Sequence, residues 1–210
     1  VPQLLEAFAR VHAHRPGSGL LLVGATSPGF DLDRRLQRLG LDGAGIEREG
    51  YVEERRLWQL MMATDVHVNL RSPTMGETSG TAIRALSLGR PLIVSDVGWF
   101  SELPDDVAVK IPVDEHEAAT LAAALELLAT RPDVRSAMGA AAYDRGKREH
   151  DLGHVAELYV SAFEQAAGGR SVGEAVLREV GEAAAAVGIA PGTAEAREIA
   201  ARLAEVDLGG

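Results

Sequence analysis

Cysteine is absent from all 210 residues, so neither a disulfide framework nor a thiolate metal site is open to this chain. Aromatic residues are scarce at 4%, so aliphatic and alanine packing must fill the core. Bases are in deficit: 21 Lys and Arg face 31 Asp and Glu, a net charge of −10, and the broad positive surface that nucleic-acid affinity requires is missing. That deficit leaves open a small anionic ligand held in one local pocket. No apolar run approaches the roughly 20 residues of a membrane span. No signal-peptide pattern opens the chain. Membrane contact is not indicated, and a cytoplasmic location is the expectation. The chain also does not open with Met: Val1-Pro2-Gln3 leads straight into an amphipathic pattern, which reads as a piece of a longer protein.

What is present is a 46% hydrophobic content, enough for one large domain or one domain with an appendage. Leu4, Leu5, Phe8 and Val11 recur at helical spacing until Pro16 and Gly17. GLLLVG follows as a short, wholly apolar run, the mark of a buried parallel strand. Next come a loop with Asp31 as a candidate N-cap, a short helix in LDRRLQRLG, a weak strand and turn in GIEREGYV, and a helix in EERRLWQLMMA. DVHVNL alternates like a strand. A polar loop, a helix, the strand PLIVSD and the strand VAVKIPV complete the series. Strands alternating with helices from Pro2 to roughly Pro112 predict a Rossmann-like α/β domain, a parallel sheet with helices on both faces. Ligands of such sheets bind beyond the carboxyl ends of the strands, here the loops after Gly24, Asn69 and Ser95. From Asp114 onward the pattern is helical. Residues 1–168 read as the sheet domain, and residues 169–210 as a helical appendage with two alanine-rich segments parted by Gly and Pro.

The loop PTMGETSG, leading into TAIRALSLGRP, is the segment richest in chemistry. A helix start aims free amides forward and adds the positive end of the dipole, which suits phosphate. Gly76 and Gly80 would let a ligand approach the backbone, and Thr78 and Ser79 offer hydroxyls. Read locally, a cap explains the same residues: Thr78 or Ser79 caps and Glu77 complements the dipole.

The order of the wider segments adds to this reading. LLEAFARV, LLLVG, EGYV, LMMATDVHVNL and GETSGTAIRALSLGRPLIVSDVGWFSEL succeed one another as in the C-terminal half of GT-B glycosyltransferases. The resemblance is to the large retaining family that includes sucrose synthases, mannosyltransferases and many bacterial polysaccharide enzymes, and it covers roughly 1–168. It implies that this half binds a nucleotide-sugar donor and that an N-terminal acceptor-binding half is missing. It implies roles for Gly24 in the turn after the first full strand, for Gly50, Tyr51 and Val52 at the nucleotide base, and for Thr78, Ser79 and Gly80 at the diphosphate. The family's pattern has two glutamates eight positions apart. Anchored on Ala85 to Pro91, the second falls on Arg84 and the first on Gly76, with Glu77 one place later. Arg84 has only donors and cannot replace a carboxylate that accepts from ribose. It reaches the phosphate side or lies on a solvated face. Glu77 is the candidate for the first carboxylate, near the transferred sugar, and so for a catalytic role. Arg71 stands where it could add charge, or is a plain loop arginine. Glu102 resembles a family acid of the donor cleft, or is a helix-start carboxylate.

Other residues point elsewhere. His67 reads as a packed strand histidine without a ligand-spaced partner. Asn69 is placed to orient the loop or touch the donor. Trp99 and Phe100 read as a hydrophobic loop anchor, with flanking the ligand as the alternative. GLLLVGATSPG lacks the dinucleotide glycine spacing. The Asp31-Leu32-Asp33 triplet opens a helix, with Asp31 as its candidate N-cap, and no metal and no other cofactor are expected. Three readings stand: the donor-binding part of a glycosyltransferase, inactive alone; a non-catalytic assembly module in which Arg84 marks a lost donor site; and an epimerase-like phosphate-binding enzyme, which would need a catalytic base.

Overall fold

The computed structural model describes residues 1–166 and 172–205. The chain divides into two compact units, Val1–His150 and Asp151–Gly210. The boundary expected at 168 lies outside the described residues.

The first unit alternates helices and strands: α1 (Pro2–His14), β1 (Leu20–Val23), α2 (Leu32–Arg38), β2 (Ile46–Glu49), α3 (Glu54–Met62), β3 (His67–Asn69), α4 (Gly80–Ser87), β4 (Leu92–Ser95), β5 (Ala108–Ile111), α5 (Glu117–Thr130) and α6 (Pro132–Glu149). Every strand pairing is parallel. Hydrogen bonds organise the strands as two ladders, β1–β2 and β3–β4–β5, with Leu20 opposite Ile46 and His67 opposite Leu92.

β4 is the axis of the core, and all four of its residues are buried. Its side chains alternate as a strand requires. Leu92 and Val94 pack with Met61 of α3, Ala82, Ala85 and Leu86 of α4, and Ala142 of α6. Ile93 turns to the other face, against Ala7 of α1 and Leu121, Ala124 and Leu128 of α5. Helices therefore cover both faces, as the alternating pattern predicts. β1 is less buried than its apolar run suggests. Its first three residues are half-buried and Val23 is exposed, because β1 is paired along one edge only, to β2. Leu20, Leu22 and Ile46 pack instead onto a satellite cluster with Leu5, Phe8, Leu36 and Leu41. Asp31 caps α2 as expected, accepting from the Arg34 amide at 2.9 Å.

His67 is a packed strand histidine. Burial, with the nearby positive Arg90 adding to it, pushes its pKa down from 6.5 to about 4. The unfolded chain takes up this proton near pH 6.5 and the folded chain only near pH 4, so acid favours unfolding across that window. Chemical denaturation of the protein and a His67→Gln variant should show the wild type losing about 3 kcal/mol relative to the variant between pH 7 and pH 4. A pH-independent difference would mean that His67 charges freely in the fold.

The second unit contains α7 (Leu152–Ala166), α8 (Val172–Ala186) and α9 (Ala194–Glu205) among its described residues. Gly188 and Gly192 take positive φ in the turn around Pro191 that reverses the chain from α8 to α9. The two helices line an apolar groove of about 500 Å³ with Leu177, Val180, Ile189, Ile199 and Leu203. No helix among the described residues is long and apolar enough to cross a membrane.

Candidate functional site

The loop between β3 and α4 is fixed at both ends. At the end of β3, Asn69 donates through Nδ2 to Ser79 Oγ at 2.9 Å. The same oxygen accepts from the Ala82 amide and caps α4. Ser79 is only 2% exposed, so its hydroxyl is a structural cap. Of the two readings of the Ser79 hydroxyl, donor to a ligand or helix cap, the structure shows the cap. Just after β3, the Arg71 amide donates to Ser95 Oγ at 2.9 Å, joining the loop to the tip of β4. The 3-10 turn Gly98–Glu102 supports the loop from below. Gly98 has φ +54, and a Cβ there would stand 3.0 Å from Thr74 Cγ2 and 3.2 Å from Gly76 Cα.

Glu77 organises the middle of the loop. Its carboxylate accepts from the Met75 amide at 2.9 Å, from the Thr74 hydroxyl at 3.1 Å and from the Arg71 guanidinium. Hydrogen bonds from its own amide and from Met75, followed by Thr74 and Arg71, hold its pKa down to about 2. Glu77 is thus a permanent anion at neutral pH, able to accept or to stabilise positive charge but not to act as a general acid. Arg71 is its counter-ion rather than a free loop cation.

Thr78 and Gly80 remain exposed at the start of α4. In an eight-residue helix capped by Ser79, the amides of Gly80 and Thr81 have no intrahelical acceptor. Arg84, one turn further, bends back toward this end. A Cβ on Gly80 would lie 3.3 Å from its Nη1. Its Nη2 donates to Glu54 Oε1 at 3.0 Å, and its guanidinium carbon lies 6.0 Å from the centre of the Trp58 ring. Arg84 therefore spans from the start of α4 to α3.

α3 follows directly on the turn of Gly50, Tyr51 and Val52. That turn meets the end of β1: the Gly24 amide donates to the carbonyls of Glu49 at 3.0 Å and Gly50 at 3.2 Å. Gly24 has φ +123, which a side chain would oppose. Tyr51 is 86% exposed, and Val52 is half-buried. The structure thus joins Gly24 to Gly50, Arg71 to Glu77, and Gly80 to Arg84. Glu102 stands apart at the end of its turn, exposed, with no hydrogen bond or ion pair among the described residues. Trp99 packs on Phe100 and His150, at 5.7 and 6.1 Å between ring centres, and is the loop anchor expected of it. No group of three or more His, Asp or Glu side chains among the described residues could hold a metal ion.

Four contributors escaped the sequence reading: Glu54, Trp58, Thr74 and Ser95. Ser95 left a trace, as the polar residue closing an apolar strand. The others pair across 30, 26 and 3 positions respectively with Arg84, Arg84 and Glu77, and nothing local announces such partners.

Comparison with known proteins completes the picture. The family model for glycosyl transferases group 1 matches residues 1–131. D-inositol 3-phosphate glycosyltransferase of Arthrobacter sp. (strain FB24) is 32% identical over 147 residues, 67% of this chain and 34% of that protein. Among solved structures, Anabaena HepE in complex with UDP is similar with a TM-score of 0.65 at 19% identity, over 78% of this chain and 44% of that one. The C-terminal domain of the glycosyl transferase group 1 protein LpcC from Francisella tularensis gives a TM-score of 0.59 at 19% identity, over 72% of this chain and 79% of that domain. The chain thus spans about a third of the curated relative and under half of the HepE chain. With the family model covering more than half of its residues and a GT-B half as its fold, the chain belongs to the glycosyl transferases group 1 family.

Proposed function

We propose that this chain is the donor-binding half of a retaining glycosyltransferase, which takes a sugar from a nucleoside diphosphate for an acceptor held by a second domain. The observation that carries the reading is the start of α4, where the Gly80 and Thr81 amides have no intrahelical acceptor and Thr78 is exposed. When the bond between the sugar's anomeric carbon and the diphosphate oxygen breaks, negative charge grows on the leaving diphosphate. Preorganised amides at a helix start stabilise such charge without reorganising. The base would rest on the Gly50–Tyr51–Val52 turn. Glu77, an anion at all working pH values, would face the sugar, whose anomeric centre becomes positive. HepE has been solved with UDP and with UDP-glucose, which supports a nucleotide sugar as the ligand class. The short span against longer relatives supports a separate acceptor domain.

Calorimetric titration with UDP, GDP and ADP tests this. One of them should bind, and a Gly80→Val variant should weaken that binding at least tenfold. Its side chain would cover the amides, yet it meets only the movable tip of Arg84, so the fold should survive. The alternative, a non-catalytic module, draws support from the internal pairing of both arginines, Arg71 with Glu77 and Arg84 with Glu54. It requires that no nucleotide bind at millimolar concentration.

A further inference from the structure

We infer that Glu54, held in place by Arg84, accepts the ribose hydroxyls of the nucleotide and makes the site selective for ribonucleotides. The inference rests on the donor-binding reading above and deepens it.

The ribose of a nucleoside diphosphate joins the base to the phosphates. In this chain the base would sit on the turn of residues 50–52 and the diphosphate at Gly80. An ion pair runs between those two places, from Glu54, the first residue of α3, to Arg84 on α4. Glu54 begins two residues beyond Val52, and Arg84 lies against Gly80. Ribose hydroxyls present two donors. An arginine offers donors alone, whereas a carboxylate accepts. Arg84 engages one oxygen of Glu54, Oε1, at 3.0 Å. The other oxygen has no protein partner among the described residues, and the side chain is 68% exposed, so a ligand can reach it. Arg84 is itself steadied by the face of Trp58, one helical turn beyond Glu54. Arg84 is therefore a positioning residue, and the accepting group comes from a neighbouring helix rather than from α4.

The test titrates the whole 210-residue chain with whichever of UDP, GDP or ADP binds it, and with the 2′-deoxy and 3′-deoxy forms of the same diphosphate. The wild type should bind at least one deoxy form roughly tenfold more weakly, the loss expected for a hydrogen bond to a charged acceptor. Glu54→Ala and Glu54→Gln should weaken the ribonucleotide more than the deoxy form and bring the ribo-to-deoxy ratio close to one. Arg84→Met should shrink the same ribo-to-deoxy ratio, a readout that loss of packing alone would not move. If the Glu54 variants weaken both forms equally, or keep the wild-type ratio, the inference is overturned while the donor-binding reading stands. If the wild type binds no diphosphate, the donor-binding reading fails first and this one with it.

Discussion

A Gly139→Val variant should lose about 3 kcal/mol of stability or more, and its melting temperature should fall by roughly 10 °C. The reason is backbone meeting backbone. A Cβ at 139 would overlap the carbonyl oxygen of Gly89 and stand 3.3 Å from its carbon. Gly89 cannot retreat freely, because it turns the chain out of α4 at φ +61 and Pro91 follows two residues later. Two turns along α6, Gly146 repeats the arrangement: a Cβ there would lie 3.2 Å from the Leu86 carbonyl carbon and 3.3 Å from the Ser87 amide. The two glycines thus form a bare face on α6 against which α4 lies. Gly17, with no atom within 4 Å of its would-be Cβ, is the control. Gly17→Ala should change stability by no more than about 0.5 kcal/mol. A Gly139→Val protein melting within about 2 °C of the wild type would show that α4 and α6 separate easily. The consequence extends to the site, because this packing sets the line along which the α4 amides point.

Sequence pattern made the order of elements legible, and the physical reason is periodicity. Leu5, Phe8 and Val11 announce α1 because burial selects one face of a helix, and all three are buried. PLIVSD announces β4 because a strand covered on both faces stays apolar until its tip, here Ser95. GLLLVG reads the same way and misleads. Apolar composition reports that a strand can be buried, whereas the degree of burial depends on what pairs with its second edge. Gly139 was equally silent, since a helical glycine looks like a local weakness until the partner backbone against it is known.

The candidate site was legible in outline and opaque in detail. The GETSG loop stood out because helix starts have a sequence signature. Whether its groups serve the fold or a ligand depends on contacts from elsewhere. Ser79 is claimed by Asn69, ten residues earlier and at the end of a strand. Arg84 is claimed by Glu54 on another helix. Arg71 was weighed as a source of charge, but the nearby Glu77 neutralises it. Sequence spacing gave the shape of the loop. The partition of each hydroxyl and charge between structure and ligand is a tertiary property.

That partition can be disturbed from beneath the loop, at Gly98. A Gly98→Val variant combines two penalties: a side chain forced into φ +54, and a Cβ at 3.0 Å from Thr74 and 3.2 Å from Gly76. Strain of this kind costs on the order of 1–3 kcal/mol before the contacts are added. The loop has no buried core of its own, so it should yield before the sheet does. Thr74 and Met75 would then drift from the Glu77 carboxylate that they bond. In the wild type those bonds keep Glu77 ionised down to about pH 2, below the ordinary 4.5. Their stabilisation is complete above the ordinary value and is lost as pH falls from about 4.5 to about 2. The displaced loop should therefore show Glu77 titrating closer to 4.5. Carboxyl-carbon NMR titration reads this directly, with Glu77→Gln identifying the signal, and nucleotide affinity should decline in parallel. A folded Gly98→Val protein in which Glu77 still titrates near pH 2 would show that the loop holds its shape without the turn beneath it. The geometry set by Thr74 and Gly76 would then be the loop's own.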